Sequence, residues 1–241
     1  TCGGEGNVHL WSIDNPAPLA KLTGHEDRVN RVDFHPSHRY IGTTSHDMTW
    51  RFWDLETTQC LLAQDGHSKG TYGIHFHRDG SLVATAGLDA IGRLWDLRSG
   101  KSVHNLRGHA KKLMAIEFDP NGYQIATASD DQSIKIWDLR QKRVLYSISA
   151  HQNMITQMRF HPSGHFLMSS SFDGTVKFWA PETWKLLKSI YVGKTAKVAY
   201  ADFSSATMEG HAQVPKVVLT ADLDRNWKRW EGAEEDEYAN L

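Results

Sequence analysis

The sequence predicts an all-β protein built from repeated four-stranded units, and three observations support this prediction. Tryptophan recurs every 42 residues, histidine keeps the same spacing, and the hydrophobic residues between these marks alternate with period two. Self-similarity at a fixed period of this length is typical of repeat architectures, and alternation with period two indicates half-buried strands. The repeat marks are Trp11, Trp53, Trp95, Trp137 and Trp179, with His25, His67, His109 and His151.

One period shows how each unit is built. Within residues 109–148, the stretches "LMAIEF", "YQIATAS", "SIKIWDL" and "RVLYSI" have the pattern of four short strands. The stretches "PNG" and "DDQ" between them are rich in Pro, Asn, Gly and Asp, which favour tight turns. Each period therefore predicts one four-stranded antiparallel sheet. An aspartate six residues before each repeat tryptophan from Trp53 to Trp179 lies in the predicted turn between the second and third strands; these are Asp47, Asp89, Asp131 and Asp173.

A Gly-His pair before the first strand and Trp-Asp in the third ("FWDLE", "LWDLR", "IWDLR") resemble the WD-repeat β-propeller family. Rings of this family most often have seven blades, so we expect part of a seven-bladed ring whose first blade is missing. In the last blade the insertion 204–216 lengthens the first hairpin, and an acidic tail, 231–241, follows. The resemblance implies a partial blade at 1–23, blades A to D at about 25–66, 67–108, 109–150 and 151–192, and an incomplete last blade at 193–230.

The resemblance also implies a buried, hydrogen-bonded tetrad of histidine, serine, aspartate and tryptophan in each regular blade. Blade B has Gly87 in place of the serine, so we expect its tetrad to be incomplete, and the last blade has Gly193 in place of the histidine. A hydrolase triad would use the same residue types, but recurrence at one spacing favours a structural role. The expected tetrads are His25, Ser45, Asp47 and Trp53; His109, Ser129, Asp131 and Trp137; and His151, Ser171, Asp173 and Trp179.

Composition and charge argue against several function classes. The formal net charge is −1, whereas proteins that hold nucleic acid by counterion release usually have a basic excess. Any RNA contact should be weak, local or made through another protein. Cys2 and Cys60 are too few for a disulfide framework or a cysteine-rich zinc site, which favours a reducing compartment. We expect no catalytic site, metal, cofactor, small-molecule substrate or membrane contact.

Unusual residues carry a finer resemblance. "GTTSHDMTWRFWDLE" has Trp50 where most WD repeats have a small β-branched residue, "GLDAIGRLWDLRSGK" has Gly92 inside a strand, and "YSISAHQNMIT" has Ala-His in place of Gly-His. In this order they resemble the Prp-four family, the WD-repeat proteins of the spliceosomal U4/U6 small nuclear ribonucleoprotein (snRNP), over roughly residues 1–200.

That resemblance implies a non-enzymatic nuclear scaffold of the U4/U6·U5 tri-snRNP in pre-mRNA splicing. Its implied partners are other U4/U6 snRNP proteins, U4/U6 RNA held indirectly and, in some organisms, a cyclophilin bound through segments outside this chain. The alternative is a substrate- or partner-recruiting subunit of a ubiquitin-ligase or chromatin complex.

The loops after the repeat histidines are the predicted partner-binding sites. Their sequences "SKGTY", "AKKLM" and "QNMIT" differ while the scaffold is constant, and loops on a rigid frame often carry specificity. A basic residue two positions before the repeat tryptophan in five repeats could form an RNA-binding ring, but packing of its aliphatic stem is the favoured interpretation. The predicted contacts are Lys69, Tyr72, Lys111, Lys112, Asn153 and Met154, and the basic positions are Arg51, Arg93, Lys135, Lys177 and Lys228.

Gly92 has two interpretations. It occupies the same repeat position as Trp50, so both side-chain positions should point the same way around the ring. We expect Gly92 to leave room for a bulky group of the adjacent blade; close approach by a partner is the alternative.

Overall fold

The computed structural model describes residues 1–193, 196–203 and 217–231. Its contacts divide the chain into two compact units, Thr1–Ala150 and His151–Leu241. Within the described ranges the regular structure is β-strand, as predicted. No helix among these residues is long and apolar enough to cross a membrane.

The first unit contains four antiparallel sheets. Strands β1 and β2 form a two-stranded sheet, and each of the next three sheets contains four sequential strands. Those three sheets belong to blades A, B and C. The strands are β1 Val8–Ser12, β2 Asn15–Leu22, β3 Val29–Phe34, β4 Tyr40–Ser45, β5 Trp50–Asp54, β6 Cys60–Gln64, β7 Thr71–Phe76, β8 Leu82–Gly87, β9 Ile91–Asp96, β10 Lys101–Arg107, β11 Leu113–Phe118, β12 Gln124–Ser129, β13 Ser133–Asp138 and β14 Arg143–Ser149.

The second unit contains two antiparallel sheets. Blade D forms a four-stranded sheet, and the last blade contributes three described strands in the order β19-β20-β21. The predicted insertion 204–216 lies between β19 and β20, outside the described residues, as does the acidic tail after Glu231. The strands are β15 Ile155–Phe160, β16 Leu167–Ser171, β17 Thr175–Trp179, β18 Leu186–Tyr191, β19 Val198–Phe203, β20 Val217–Asp222 and β21 Trp227–Glu231.

The core lies between neighbouring sheets. In β13, Ile134 and Ile136 are fully buried while Lys135 between them is partly exposed, as the period-two pattern predicts. In β12, the second strand of blade C, Ala126 and Ala128 on one face and Thr127 and Ser129 on the other are all buried. Leu106 of blade B packs in one cluster with side chains of blade C, so sheet-to-sheet packing stabilises the repeat.

Candidate functional site

A buried hydrogen-bonded relay connects the repeat marks of blade C. The indole Nε1–H of Trp137 donates to Thr127 Oγ1 at 2.8 Å, and Thr127 Oγ1 lies 2.9 Å from His109 Nε2. On the other side of the ring, His109 Nδ1 lies 2.8 Å from Asp131 Oδ2. Because a carboxylate only accepts, His109 carries a proton on Nδ1. Burial lowers the pKa of His109 and favours the neutral ring, so Nε2 accepts from the threonine hydroxyl. A neutral histidine therefore pairs every polar atom of the relay.

The structure differs from the predicted tetrad in its hydroxyl residue. The oxygen between His109 and Trp137 belongs to Thr127, not to Ser129. Ser129 ends β12 and pairs with Leu113 at the start of β11, so its hydroxyl lies at the level of the loop rather than of the histidine ring. In blades A and D, Ser45 and Ser171 donate to loop carbonyls and accept from the backbone N–H of Asp47 and Asp173, but they do not bond the histidine or the tryptophan.

Blade B has a complete relay, contrary to the expectation drawn from Gly87. Trp95 donates to Thr85 Oγ1 at 2.9 Å, and Thr85 Oγ1 lies 2.9 Å from His67 Nε2. The expectation was wrong because the serine that Gly87 replaces is not a relay member. His67 Nδ1 lies 3.1 and 3.2 Å from the two oxygens of Asp89, whereas in the other complete blades one aspartate oxygen lies at 2.7 to 2.9 Å.

The sequence contains a signal for the relay hydroxyl that the predicted tetrad missed. A threonine or serine stands ten residues before each of Trp53, Trp95, Trp137, Trp179 and Trp230. In the last blade, where Gly193 replaces the histidine, the indole of Trp230 still donates to Thr220 at 3.0 Å. The hydroxyl residues are Thr43, Thr85, Thr127, Ser169 and Thr220.

The electrostatics of the relay agree with a structural role. Burial lowers the pKa of His25, His109 and His151 and outweighs the opposing effect of their aspartate partners. Burial raises the pKa of Asp131, but hydrogen bonds from Ser133 and His109 outweigh it and lower that pKa to about 2. The hydroxyls of Thr43, Thr85, Thr127 and Ser169 belong to residues with no exposed surface, so a substrate cannot reach them.

The same frame holds the loop after each histidine. We call residues 26–28, 68–70, 110–112 and 152–154 the post-histidine loops. In blade C, the Ala110 N–H donates to Asp131 Oδ2 at 3.0 Å and the Asp130 N–H donates to the Lys112 carbonyl at 3.0 Å. Equivalent bonds occur in the other three complete blades. Each loop backbone is therefore tied to the turn that carries the relay aspartate.

The predicted contact residues lie on or beside these loops. Lys69, Lys111, Lys112 and Asn153 are exposed, and Met154 is partly exposed. Tyr72 follows the loop of blade B on β7 and is partly buried. The guanidinium carbon of Arg31 lies over its ring, 5.6 Å from the ring centroid.

The repeated basic residues have local partners. Arg93 donates to the side-chain oxygen of Asn105 at 3.0 Å, and Lys135 donates to Ser147 at 3.0 Å. Lys228 donates to the carbonyl of Val192 at 2.7 Å. These contacts support the packing interpretation of the repeated basic position over an RNA-binding ring.

The surroundings of Gly92 support the crowding interpretation. A Cβ atom added there would lie 3.2 Å from Ile116 of blade C and 3.2 Å from Leu106 of its own sheet. Trp50, at the same repeat position in blade A, is buried with its ring 5.7 Å from that of Trp95. The space beside Gly92 is therefore filled jointly by its own sheet and the next one.

A second set of histidines ties neighbouring sheets together at the opposite ends of the first strands. His35 Nε2 lies 3.0 Å from the Gly80 carbonyl of the next sheet, and His77 Nε2 lies 3.2 Å from the Gly122 carbonyl. Within the part of the chain that the structure describes, no group of three His, Cys, Asp or Glu side chains is placed to hold a metal ion.

Comparison with known proteins adds two findings. The family model for the WD domain, G-beta repeat, matches residues 16–54, 58–96, 100–138 and 142–180. The chain is also similar to the U4/U6 small nuclear ribonucleoprotein PRP4 of Saccharomyces cerevisiae, with 40% identity over 57 residues. That similarity covers 22% of this chain and 12% of the yeast protein.

Proposed function

This chain belongs to the WD-repeat family, and from that premise we propose that it is a non-enzymatic scaffold of the U4/U6·U5 tri-snRNP. It binds other snRNP proteins through the post-histidine loops and holds U4/U6 RNA through those proteins. It acts in the nucleus, in pre-mRNA splicing. We also propose that its blades form part of a seven-bladed ring.

The proposed scaffold function rests on one observation: the side chain in the middle of each post-histidine loop varies, while the hydrogen bonds that hold the loop backbone are the same. The residue two positions after each histidine is Asp27, Lys69, Lys111 or Asn153. Its loop is held in every complete blade by the N–H bond to the relay aspartate and by the backbone bond one residue further on. A fixed backbone that presents different exposed side chains suits recognition of different protein surfaces.

The spliceosomal assignment is supported by the similarity to the yeast U4/U6 protein. A generic WD repeat would share only the periodic marks, but this chain also has the unusual Trp50 and Gly92 on which the Prp-four resemblance rests. The net charge of −1 supports indirect rather than direct retention of RNA.

Affinity purification of the natural full-length protein from nuclear extract tests the proposal. We expect U4 and U6 RNA to be enriched together, with their snRNP proteins. Ribonuclease treatment should release RNA fragments but leave direct protein partners bound. An intact protein that enriches neither RNA, or that enriches ubiquitin-ligase or chromatin subunits, would overturn the spliceosomal assignment.

A matched pair of variants tests the role of the loops. Lys111→Glu/Lys112→Glu changes a post-histidine loop, whereas Arg98→Glu/Lys101→Glu reverses two charges near the turn between the third and fourth strands of blade B. That turn lies at the other end of the strands, because strands alternate in direction. We expect only the loop variant to reduce recovery of the protein partners. Equal losses would contradict binding through the loops.

A further inference from the structure

The post-histidine loop of blade C differs from its counterparts in its contacts with the serine of the second strand. The Ser129 hydroxyl lies 3.0 Å from the Lys111 carbonyl and 2.9 Å from the Lys112 carbonyl, so its proton is shared between two loop carbonyls. Ser45 and Ser171 each donate to one loop carbonyl, at 3.0 and 3.1 Å. Gly87 has no hydroxyl, so the loop of blade B lacks this tie.

This loop of blade C presents two adjacent positive charges. Lys111 and Lys112 are exposed, and within the described ranges neither lysine takes part in a salt bridge. Residues 107–116 contain one further basic residue, Arg107 at the end of β10, and no Asp or Glu. On the adjoining turn, Asp131 is already bonded to His109, Ser133 and the loop N–H of Ala110. Asp130 on the same turn is partly exposed, so it offsets one of the two lysine charges in part.

The same position has the opposite charge in blade A. Asp27 and the preceding Glu26 are exposed there, at the places that Lys111 and Ala110 occupy in blade C. A long polyanion that followed successive post-histidine loops would meet Lys69 in blade B, but in blade A it would meet two carboxylates, Glu26 and Asp27, against one cation, Arg28. A short anionic segment that engages the loop of blade C alone meets no such repulsion.

We propose that Lys111 and Lys112 bind an acidic segment of a protein partner, with at least two Asp or Glu side chains close together in its sequence. This inference rests on the proposed function as a protein-binding scaffold and names the partner chemistry at one loop. Lysine ammonium groups provide point charges that carboxylates can neutralise. Ser129 is a positioning residue, because a backbone held before binding reduces the entropy lost on association.

Fluorescence anisotropy with two labelled probes tests the inference. One probe is a hexaglutamate peptide and the other is a single-stranded uridine hexanucleotide. We expect the unchanged protein to bind the peptide at low salt, and Lys111→Glu/Lys112→Glu to weaken binding about tenfold or more. Ser129→Ala keeps both charges and should weaken binding about threefold by loosening the loop. Ser171→Ala removes the corresponding tie of blade D and should leave peptide binding unchanged.

Three outcomes would overturn the inference: peptide binding that tolerates the double charge reversal, equal effects of Ser129→Ala and Ser171→Ala, or tighter binding of the nucleotide through the same lysines. Lys111→Gln/Lys112→Gln provides a milder variant should the reversal reduce stability. If the peptide binds but U4 and U6 do not copurify, the site at Lys111 and Lys112 is supported and the spliceosomal assignment is rejected. If U4 and U6 copurify but the peptide does not bind, the spliceosomal assignment is supported and the proposed site is rejected.

Discussion

Trp95 donates its indole hydrogen bond to Thr85 at 2.9 Å in the blade that has glycine where its neighbours have serine. The relay is therefore complete without that serine. Two hydroxyl residues of the second strand, two positions apart, have separate roles. In blade C, Thr127 bonds the histidine and the tryptophan, and Ser129 ties the post-histidine loop to the relay turn. Four predictions follow from this division and from the packing and charge around it.

Thr127→Val should destabilise the protein far more than Ser129→Ala. Valine matches the shape of threonine but leaves the buried Trp137 Nε1–H and His109 Nε2 without a partner. An unpaired buried polar group costs about 1–3 kcal/mol, so we expect a loss of about 2–5 kcal/mol. Ser129→Ala should cost about 1 kcal/mol. Urea denaturation compares the two variants, and a larger loss for Ser129→Ala would contradict the assignment of the relay.

Gly87→Ala should destabilise blade B, although the repeat pattern suggests that a side chain fits there. A Cβ atom at Gly87 would contact His67 Nδ1 and Asp89 Oδ1, which occupy the space that Ser129 fills in blade C. Overpacking of this kind costs about 1–3 kcal/mol. Thermal unfolding measures the effect. A rise in melting temperature would show that His67 and Asp89 move aside at little cost.

Gly92→Val should also reduce stability, because its branches would overlap the side chains of Ile116 and Leu106. We expect a loss of about 1–3 kcal/mol in denaturant unfolding. Adding Ile116→Ala makes room in the adjacent sheet, so the loss caused by Gly92→Val should be smaller in that background. Normal stability of Gly92→Val combined with lost partner binding would instead favour close approach by a partner.

The strands and their grouping into sheets could be predicted because their signals are periodic. Trp137 and His109 recur at one spacing, and the alternation in "SIKIWDL" gives both the strand and its buried face. The relay hydroxyl could not be chosen by alternation. Thr127 and Ser129 point to the same side of β12, and both recur in neighbouring repeats. Recurrence favours the threonine, because the serine is replaced by Gly87 in blade B. The register, which pairs Ser129 with the first residue of β11, shows the reason: the serine lies too near the loop.

The positions of the candidate binding loops could be predicted from the sequence, but the hydrogen bonds that hold their backbones could not. Lys111 and Lys112 stand out in the sequence because the loop varies while its flanks are constant. The hydroxyl of Ser129 shared between their carbonyls depends on the loop backbone, which carries no residue-specific signal. The equivalent serine of blade D reaches a single loop carbonyl.

Stability should fall in two separate steps as the pH is lowered. The pKa of His25, His109 and His151 is lowered mainly by burial, so folding favours their neutral form. Their contribution is complete above the unfolded-state pKa of about 6.5 and decreases as the pH falls below it. The pKa of Asp89 and Asp131 is about 2 in the folded protein, where hydrogen bonds to the carboxylates outweigh burial. Their contribution is complete above about pH 4 and is lost between about pH 4 and pH 2.

Urea unfolding from about pH 7.5 to about pH 3 should therefore show a first decrease beginning near pH 6.5 and a second below about pH 4. Asp131→Asn removes one carboxylate, so the variant should start from lower stability at neutral pH and lose less of it in the acid step. Since the asparagine no longer attracts a proton to His109, the decrease near pH 6.5 should persist in this variant. Stability that stays constant between about pH 7 and pH 5 would contradict neutral relay histidines, because protonating them would then cost the folded protein nothing.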